Sequence, residues 1–272
     1  MADTLQTLPE KYALDNARDE AQARMAALSA MYDGTTERHL RRIGITSGWR
    51  CLEIGAGSPT IPTWMAEQAG PGGSILVTDI NTRFLNTLVH PLITVTQHDI
   101  GNDPLPENHF DLVHARLVFS WVRERDRALP RVVQALKPGG WLVIEDFDPL
   151  SLSRDQTVDT PELVVRVYRA MQQAILTTTG ADIRFVRRLP RLFRDSGLTE
   201  VGSEGRVLQW EGGSAGMDLV WSNCMQLRPA VIASGAITDQ EFDTGLELMK
   251  SPEAAVTSPV MWSAWGRRPE LS

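Results

Sequence analysis

The chain has 272 residues, of which 42% are hydrophobic and 22% are charged, a balance typical of folded globular proteins rather than disordered ones. Thirty-four acidic residues against 27 basic ones leave a net charge of −7, which argues against a general nucleic-acid-binding surface. No apolar run approaches the roughly 18 residues of a membrane-spanning helix. The amino-terminal segment also lacks the apolar region of a signal peptide, so we expect a cytoplasmic protein without a membrane partner.

The spacing of potential metal ligands argues against a metal centre. The two cysteines, Cys51 and Cys224, lie far apart in sequence and form no C-x-x-C pair. Clusters of histidine, aspartate and glutamate with metal-binding spacing are also lacking in the sequence. We therefore expect neither structural zinc, nor a disulfide framework, nor a catalytic metal.

The first part of the chain is predicted to be helical and to lead into a parallel sheet. Apolar and alanine positions recur at three- and four-residue steps over residues 12–43. Short apolar runs and helical segments then alternate. Strands are predicted just before Gly55 and over residues 74–80, 93–100, 110–115 and 141–147, and helices over residues 61–70, 82–89 and 125–136. Such alternation is typical of a parallel sheet with helices on both faces.

The alternation is looser after residue 150. A helix is predicted from Thr160 to Thr178 and a second one over residues 184–197. Residues 198–210 and 255–268 are predicted to be two late strands. The helical segment between them carries Met217, Trp221 and Cys224 at helical spacing, a pattern that suits either core packing or a bulky apolar ligand.

The motif that indicates chemistry follows the first strand. Glu53, Gly55 and Gly57 form an E-x-G-x-G sequence, and the two glycines allow the backbone to approach a ligand closely. The helix that follows directs free N–H groups toward the same place. Asp79 ends the second strand, where a carboxylate suits the hydroxyl groups of a ribose. The pattern therefore predicts a site for an adenosine-containing cofactor.

A nicotinamide cofactor is an alternative that fits less well. The dinucleotide motif requires a small residue at its third position, and here that position is Thr60, with Pro59 beside it. Glu53 would also bring its negative charge toward the phosphates. About 45 residues precede the first strand, whereas dinucleotide domains commonly begin there.

Five segments, CLEIGAG, TDI, QHDI, FDLVHARLV and ALKPGGWLVIED, occur in this order between residues 45 and 147. Together they resemble the seven-stranded, class I S-adenosylmethionine-dependent methyltransferases, particularly the small-molecule enzymes of bacterial secondary metabolism. The resemblance implies a Rossmann-like α/β fold with a mostly parallel sheet in the order 3-2-1-4-5-7-6. It further implies an N-terminal helical cover (1–44), a cofactor-binding core (45–149), and a segment of substrate-side helices and the last two strands (150–272), with a helical insertion between those strands.

The same resemblance implies S-adenosylmethionine as the cofactor and assigns residues to its methionine part. Glu53, Gly55 and Gly57 would lie beside the methionine moiety. Tyr12 and Arg24 of the N-terminal cover would reach its carboxylate.

The resemblance assigns a second group of residues to the adenosine part. Asp79 would bind the ribose hydroxyls, and Ile80 would pack against the adenine. Asp99 would accept a hydrogen bond from the adenine amino group, with the backbone of Ile100 beside it. Ala115 would place its carbonyl near the ammonium group of the cofactor.

Three residues at strand ends are candidates for a general base. His114 ends the fourth strand, and its ordinary pKa of about 6.5 would let it accept a proton. Packing that orients the cofactor loop is the alternative role for this histidine. Asp146 and Asp148 lie at the end of the fifth strand and are the other candidates.

The sequence thus predicts methyl transfer to an oxygen, nitrogen or carbon atom of a small hydrophobic metabolite, by a monomer or homodimer. Most of the rate would come from positioning the reactants and excluding water. Two alternatives remain open. One is a nicotinamide-dependent oxidoreductase, and the other is a methyltransferase-like protein that acts as a cyclase or binds without catalysis.

Overall fold

The computed structural model describes residues 20–154, 160–178 and 180–270. Over these ranges, seven strands form one sheet. They are β1 (Arg50–Ile54), β2 (Ser74–Asp79), β3 (Ile93–Gln97), β4 (Phe110–Arg116), β5 (Leu136–Asp148), β7 (Thr199–Arg206) and β10 (Val260–Arg267). A small antiparallel sheet contains β6 (Ser153–Arg154), β8 (Gln209–Glu211) and β9 (Ala255–Thr257).

The helices lie on both faces of the large sheet and beyond its carboxyl edge. They are α1 (Glu20–Arg42), α2 (Thr60–Ala69), α3 (Arg125–Ala135), α4 (Glu162–Thr178), α5 (Leu189–Asp195), α6 (Ala215–Ala233) and α7 (Asp239–Leu248). The predicted helical segment at residues 12–43 is therefore confirmed over α1, and residues 12–19 lie outside the described ranges.

The strand order of the large sheet is β3-β2-β1-β4-β5-β10-β7. Strands β1 to β5 pair in parallel, and β10 is antiparallel to both of its neighbours. Because β7 and β10 are the sixth and seventh strands of this sheet along the chain, the order is 3-2-1-4-5-7-6. The predicted fold class is confirmed.

Two predicted elements differ from the structure. Residues 82–89 contain only a short 3-10 helix (Thr82–Phe84), since the Asn81 side chain accepts a hydrogen bond from the Arg83 N–H at 3.2 Å and starts a tight turn. The β-branched residues and asparagine in this segment also disfavour an α-helix. The late strands are each divided in two, because β8 and β9 leave the large sheet to form the small one.

The alternation of side chains along the central strands decides which groups reach which face. Leu52 and Ile54 of β1 pack in an apolar cluster with α3 and α5, whereas Cys51 packs on the opposite face with α1 and α2. A third cluster joins α4, α6 and α7 beyond the sheet. The carboxyl ends of the parallel strands face this third cluster, and the cavity described next lies between them.

Candidate functional site

A cavity of about 270 Å³ lies at the carboxyl edge of the sheet. Its walls come from the loops after β1, β2, β4 and β5 and from helices α1, α4 and α6. Ligand sites of open α/β sheets are found at this edge. The glycine motif and the apolar helices thus border the same space.

The glycine loop, residues 55–58, forms one wall of the cavity. Gly55 and Gly57 have φ angles of +63° and +57°, in the left-handed region that side chains other than glycine disfavour. A Cβ atom at Gly55 would lie 2.4 Å from a Val118 methyl group, and one at Gly57 would lie 3.0 Å from the Met25 sulfur. Both positions therefore require glycine for conformation and for space.

Asp79 lies beside this loop with its carboxylate fixed by the backbone. One oxygen accepts the Gly57 N–H at 3.0 Å, and the other accepts the Asn81 N–H at 2.9 Å. Burial raises the pKa of Asp79, and these backbone hydrogen bonds offset part of that rise. Each oxygen can still accept another hydrogen bond, as a ribose diol would require. Ile80 follows, lines the cavity and is 41% exposed.

Asp99 and Ile100 extend the same wall after β3. Asp99 accepts hydrogen bonds from the Gly101 N–H and from the Asn102 side-chain amide, both at 2.9 Å. Ile100 is buried. The structure thus brings Asp79, Ile80, Asp99 and Ile100 together as the sequence interpretation requires.

Helix α1 covers the glycine loop. Arg24 lines the cavity, and its guanidinium donates a hydrogen bond to the Gln226 side chain of α6 at 3.1 Å. The Ser29 hydroxyl lies 3.3 Å from that of Ser58. Helix α1 of the predicted cover therefore contacts the glycine loop, whereas Tyr12 lies outside the described residues.

Glu53 and His114 do not line the cavity. Strand alternation places them on the face covered by α1 and α2, together with Glu145, and we call these three residues the charge cluster. The Nδ1 atom of His114 lies 2.6 Å from a Glu53 oxygen, and its Nε2 atom lies 3.4 Å from a Glu145 oxygen. The hydroxyls of Thr36 and Ser263 donate to Glu145 as well.

The charge cluster carries strongly shifted pKa values. Burial alone would lower the pKa of His114, but the Glu53 and Glu145 carboxylates raise it to about 9. Burial alone would raise the pKa of Glu145, but His114, with Arg116 and Ser263, lowers it to about 2. A protonated imidazole with both nitrogens beside carboxylates is not placed to take a proton from a substrate. The structure therefore does not support His114 as the base or Glu53 as a direct contact of the methionine moiety.

The two aspartates at the end of β5 have different surroundings. Asp148 does not line the cavity, and its carboxylate accepts a hydrogen bond from the Arg187 guanidinium at 2.8 Å. Asp146 lines the cavity and accepts the backbone N–H groups of Ser120 at 3.1 Å and Phe147 at 2.9 Å. Burial raises the pKa of Asp146 to about 6 despite these hydrogen bonds.

The residues at the end of β4 and directly after it contact the cavity differently from the prediction. Ala115 is buried and does not line it, whereas the next three residues, Arg116, Leu117 and Val118, do. Leu117 has a φ angle of +60°, and its N–H bonds to the Glu145 carbonyl at 2.8 Å. Arg116 donates to Asp33 of α1 at 2.7 Å. Sequence patterns carry no signal for a leucine in the left-handed region, so this turn was missed.

The other end of the cavity, which we call the apolar end, has mostly hydrophobic walls. It is lined by Phe147, Tyr168, Met171, Ile175, Leu219 and Val220. The predicted stripe on α6 has another role, because Met217 and Cys224 are buried in the core. The cavity is lined instead by the neighbouring face of the same helix.

Across the described ranges, no cluster of histidine, cysteine and acidic side chains could hold a metal ion. In that same portion of the chain, none of the helices combines the length and apolar character that a bilayer crossing demands.

Comparison with known proteins identifies the central segment. Residues 52–144 match a family described as "Methyltransferase domain". This segment of the chain is similar to a methyltransferase domain. The match confirms the predicted resemblance to methyltransferases.

Curated methyltransferases are similar to half of this chain or less. The chain is 30% identical over 145 residues to the ubiquinone/menaquinone biosynthesis C-methyltransferase UbiE of Pseudomonas putida (strain GB-1), covering 50% of this chain and 53% of the relative. It is 32% identical over 114 residues to UbiE of Cupriavidus necator, covering 40% of this chain and 47% of that protein. The chain thus spans about half the length of the curated relatives it matches.

Two solved structures share the fold of the methyltransferase domain. Phosphoethanolamine N-methyltransferase 2 of Haemonchus contortus, in complex with S-adenosyl-L-methionine, has a TM-score of 0.56 at 14% identity, covering 96% of this chain and 60% of that one. The YcgJ protein of Bacillus subtilis has a TM-score of 0.55 at 14% identity, covering 88% of this chain and 100% of that one.

Proposed function

We propose that the protein transfers a methyl group from S-adenosylmethionine to an oxygen, nitrogen or carbon atom of a small hydrophobic molecule. One observation carries the proposal: a single cavity joins the glycine loop and Asp79 to the apolar end. A polar cofactor and an apolar acceptor can then lie side by side in one space. The printed names of the curated relatives describe C-methyltransferases, which keeps carbon among the candidate acceptor atoms.

The residues of the cavity suit this cofactor. We assign Gly55, Gly57 and Arg24 to its methionine part and Asp79 to its ribose hydroxyls. Ile80, Asp99 and Ile100 would hold the adenine. When bound, S-adenosylmethionine supplies a methyl group on a positively charged sulfur, which keeps the electron pair of the broken bond and becomes neutral as the acceptor atom bonds to the carbon.

The chain contributes mainly by positioning the two reactants and by shielding them from water. The backbone hydrogen bonds of Asp79 fix its carboxylate, and the close packing around the two glycines fixes the loop. Both hold the site in one geometry before any ligand binds. We propose that residues 1–44 act as the cover, residues 45–149 as the cofactor-binding core, and residues 150–272 as the acceptor side. Helices α1, α4 and α6 would then exclude water from the reacting groups.

Calorimetric titration tests the cofactor assignment. We expect S-adenosylhomocysteine to bind the wild-type protein and NADH not to bind. Asp79→Asn should weaken the binding about 100-fold, because one of the two oxygens that accept from the ribose is replaced by an NH2 group and the remaining hydrogen bond loses its charge. The matched control is Asp111→Asn, since Asp111 also accepts a backbone N–H, from Arg50 at 2.8 Å, but does not line the cavity.

Tighter binding of NADH than of S-adenosylhomocysteine would contradict the proposal, as would equal affinities of the wild type and Asp79→Asn. Transfer of a radiolabelled methyl group to a cell extract then separates an enzyme from a protein that binds the cofactor without methyl transfer.

A further inference from the structure

Arg131 of α3 holds a turn in the wall of the cavity, although it does not line the cavity itself. The turn comprises residues 99–103 after β3, and we call it the β3 turn. One terminal nitrogen of the Arg131 guanidinium donates to the carbonyls of Ile100 and Gly101, both at 2.7 Å. The other terminal nitrogen donates to the Asn102 carbonyl at 3.2 Å. A single side chain therefore binds three consecutive carbonyl groups.

Two carboxylates that line the cavity, those of Asp99 and Glu124, meet at the β3 turn. The Asp99 oxygens accept hydrogen bonds from the Gly101 N–H and the Asn102 side-chain amide, both at 2.9 Å. A Cβ atom at Gly101 would lie 2.9 Å from a Glu124 carboxylate oxygen and 3.0 Å from an Asp99 carboxylate oxygen. The residue whose carbonyl Arg131 binds thus lies between the two acids.

We propose that Arg131 is a positioning residue for the purine of the cofactor. By fixing the β3 turn, it holds the Asp99 carboxylate at the place where that group selects adenine over hypoxanthine. This inference rests on the proposed function, since it concerns the nucleoside part of the same cofactor. The role of Arg131 is an addition to that function, because Arg131 acts on the site only through the turn that it holds.

The chemistry of the two carboxylates explains the selection. Ionised carboxylates accept hydrogen bonds and do not donate them. The amino group of adenine is a donor, whereas hypoxanthine carries an oxygen atom at the same position. Losing a hydrogen bond to a charged group lowers affinity about 10- to 100-fold. Because hydrogen bonds weaken steeply when their distance and angle change, the selection depends on where the turn holds the carboxylate.

The guanidinium of Arg131 is suited to fixing this turn. Its planar fork directs the N–H groups rigidly, so the three carbonyl groups that it binds cannot move independently of one another. The helix that carries it is anchored as well, since Val132 and Val133 of α3 are buried in the apolar cluster of Leu52 and Ile54. The β3 turn is therefore tied to the core of the protein before any ligand binds.

The experiment compares S-adenosylhomocysteine with S-inosylhomocysteine, which carries hypoxanthine in place of adenine, by calorimetric titration of the full chain. The ratio of the two dissociation constants measures the purine selection. We expect the wild type to prefer S-adenosylhomocysteine at least about tenfold. Arg131→Gln replaces the fork by one shorter amide and should lower this preference at least about fivefold. A merely structural defect would weaken both ligands equally and leave the ratio unchanged.

Arg127→Gln is the matched control, since it removes the same charge one turn earlier in α3 at an exposed side chain. We expect it to leave the ratio unchanged. Arg131→Lys is a second variant, which keeps the charge but replaces the planar fork by a single ammonium group. It covers an Arg131→Gln protein that does not fold, and it should lower the ratio at least about twofold. Melting temperatures show which variants are folded.

The outcomes separate the two proposals. If S-adenosylhomocysteine does not bind the wild type, the proposed function itself fails. If it binds and the wild type shows no preference between the two ligands, the inference about Arg131 is overturned and methyl transfer is left standing. The same holds if the folded Arg131 variants keep the wild-type ratio, or if Arg127→Gln lowers the ratio as much as they do. Failure of both Arg131 variants to fold would make Arg131 a residue of stability and would also overturn the inference.

Discussion

Three buried acidic residues, Asp79, Asp146 and Glu145, lie at the same edge of the sheet but differ in their partners. Asp79 and Asp146 are held by backbone N–H groups, and burial raises the pKa of both. Glu145 of the charge cluster lies beside the charged His114, and its pKa is lowered to about 2. Neutral backbone donors orient a carboxylate without cancelling its charge, so its oxygens remain available to a ligand. A cationic partner cancels that charge and leaves the carboxylate a structural group.

The groups that surround an acid decide which kind of partner it receives. Glu53 and Glu145 point toward α1 and α2, where the hydroxyls of Thr36 and Ser263 and the ring of His114 surround them. Asp79 and Asp146 point to the cavity, next to turns whose N–H groups are free to bond them. The comparison predicts that substitutions in the charge cluster affect stability, whereas substitutions at the cavity affect ligand binding.

The largest effect on folding is expected for His114→Ala. This substitution leaves two carboxylates buried without a cation, and breaking a buried ion pair in this way costs about 3–5 kcal/mol. Urea denaturation would measure the loss in the free energy of unfolding. His109→Ala, at a partly exposed position just before β4, is the control and should cost much less. A stable His114→Ala protein that has lost affinity for S-adenosylhomocysteine would contradict this prediction, because the charge cluster would then serve ligand binding rather than stability.

A smaller effect is expected for Gly55→Ala. A left-handed φ angle costs a non-glycine residue about 1–2 kcal/mol, and here the new Cβ would also contact Val118 at 2.4 Å. Gly72 has a φ angle of +90° with open space around its Cβ position, so Gly72→Ala isolates the conformational cost. Both variants should lose stability, but only Gly55→Ala should also bind S-adenosylhomocysteine about tenfold more weakly in calorimetry. Equal affinities for the two variants would show that the glycine loop does not contact the cofactor.

The smallest effect is the pH dependence of stability. The folded pKa of His114 is raised to about 9, above the unfolded value of about 6.5. Its contribution is therefore fully present below pH 6.5 and is lost as pH rises through about 9. The melting temperature of the wild type should fall over this range, and that of His114→Gln should fall less. Identical slopes for the two proteins would mean that the charge cluster does not hold a protonated histidine.

Much of the fold could be predicted because the strands, the helices and the glycine loop each depend on residues that are close together in the sequence. Five apolar runs separated by helical segments predicted the parallel strands, and the glycines with Asp79 predicted the position of the cavity. The segment at residues 82–89 failed as a helix because the Asn81 turn prevailed over a weak helical pattern. The late strands were found, but their division between two sheets depends on contacts distant in sequence.

The roles of individual strand-end residues could not be predicted in the same way. His114 and Asp146 both follow from the rule that strand ends meet ligands, yet only Asp146 lines the cavity. Likewise, Met217 and Cys224 of α6 pack in the core, while Leu219 and Val220 line the cavity. A periodic pattern shows that a helix has an apolar face but does not show which neighbour covers each part of it.

The amino-acid sequence by itself determined the strand order through its family motifs, the glycine loop, and the acids that end β2 and β3. These features depend on backbone conformation and on residues close together in the chain. Only the tertiary structure decided that His114 lies between Glu53 and Glu145, outside the cavity lining, and that Asp146 lines the cavity. The reason is physical: the charge state of a buried group depends on the distances to partners tens of residues away, and those distances exist only once the sheet and its helices have packed.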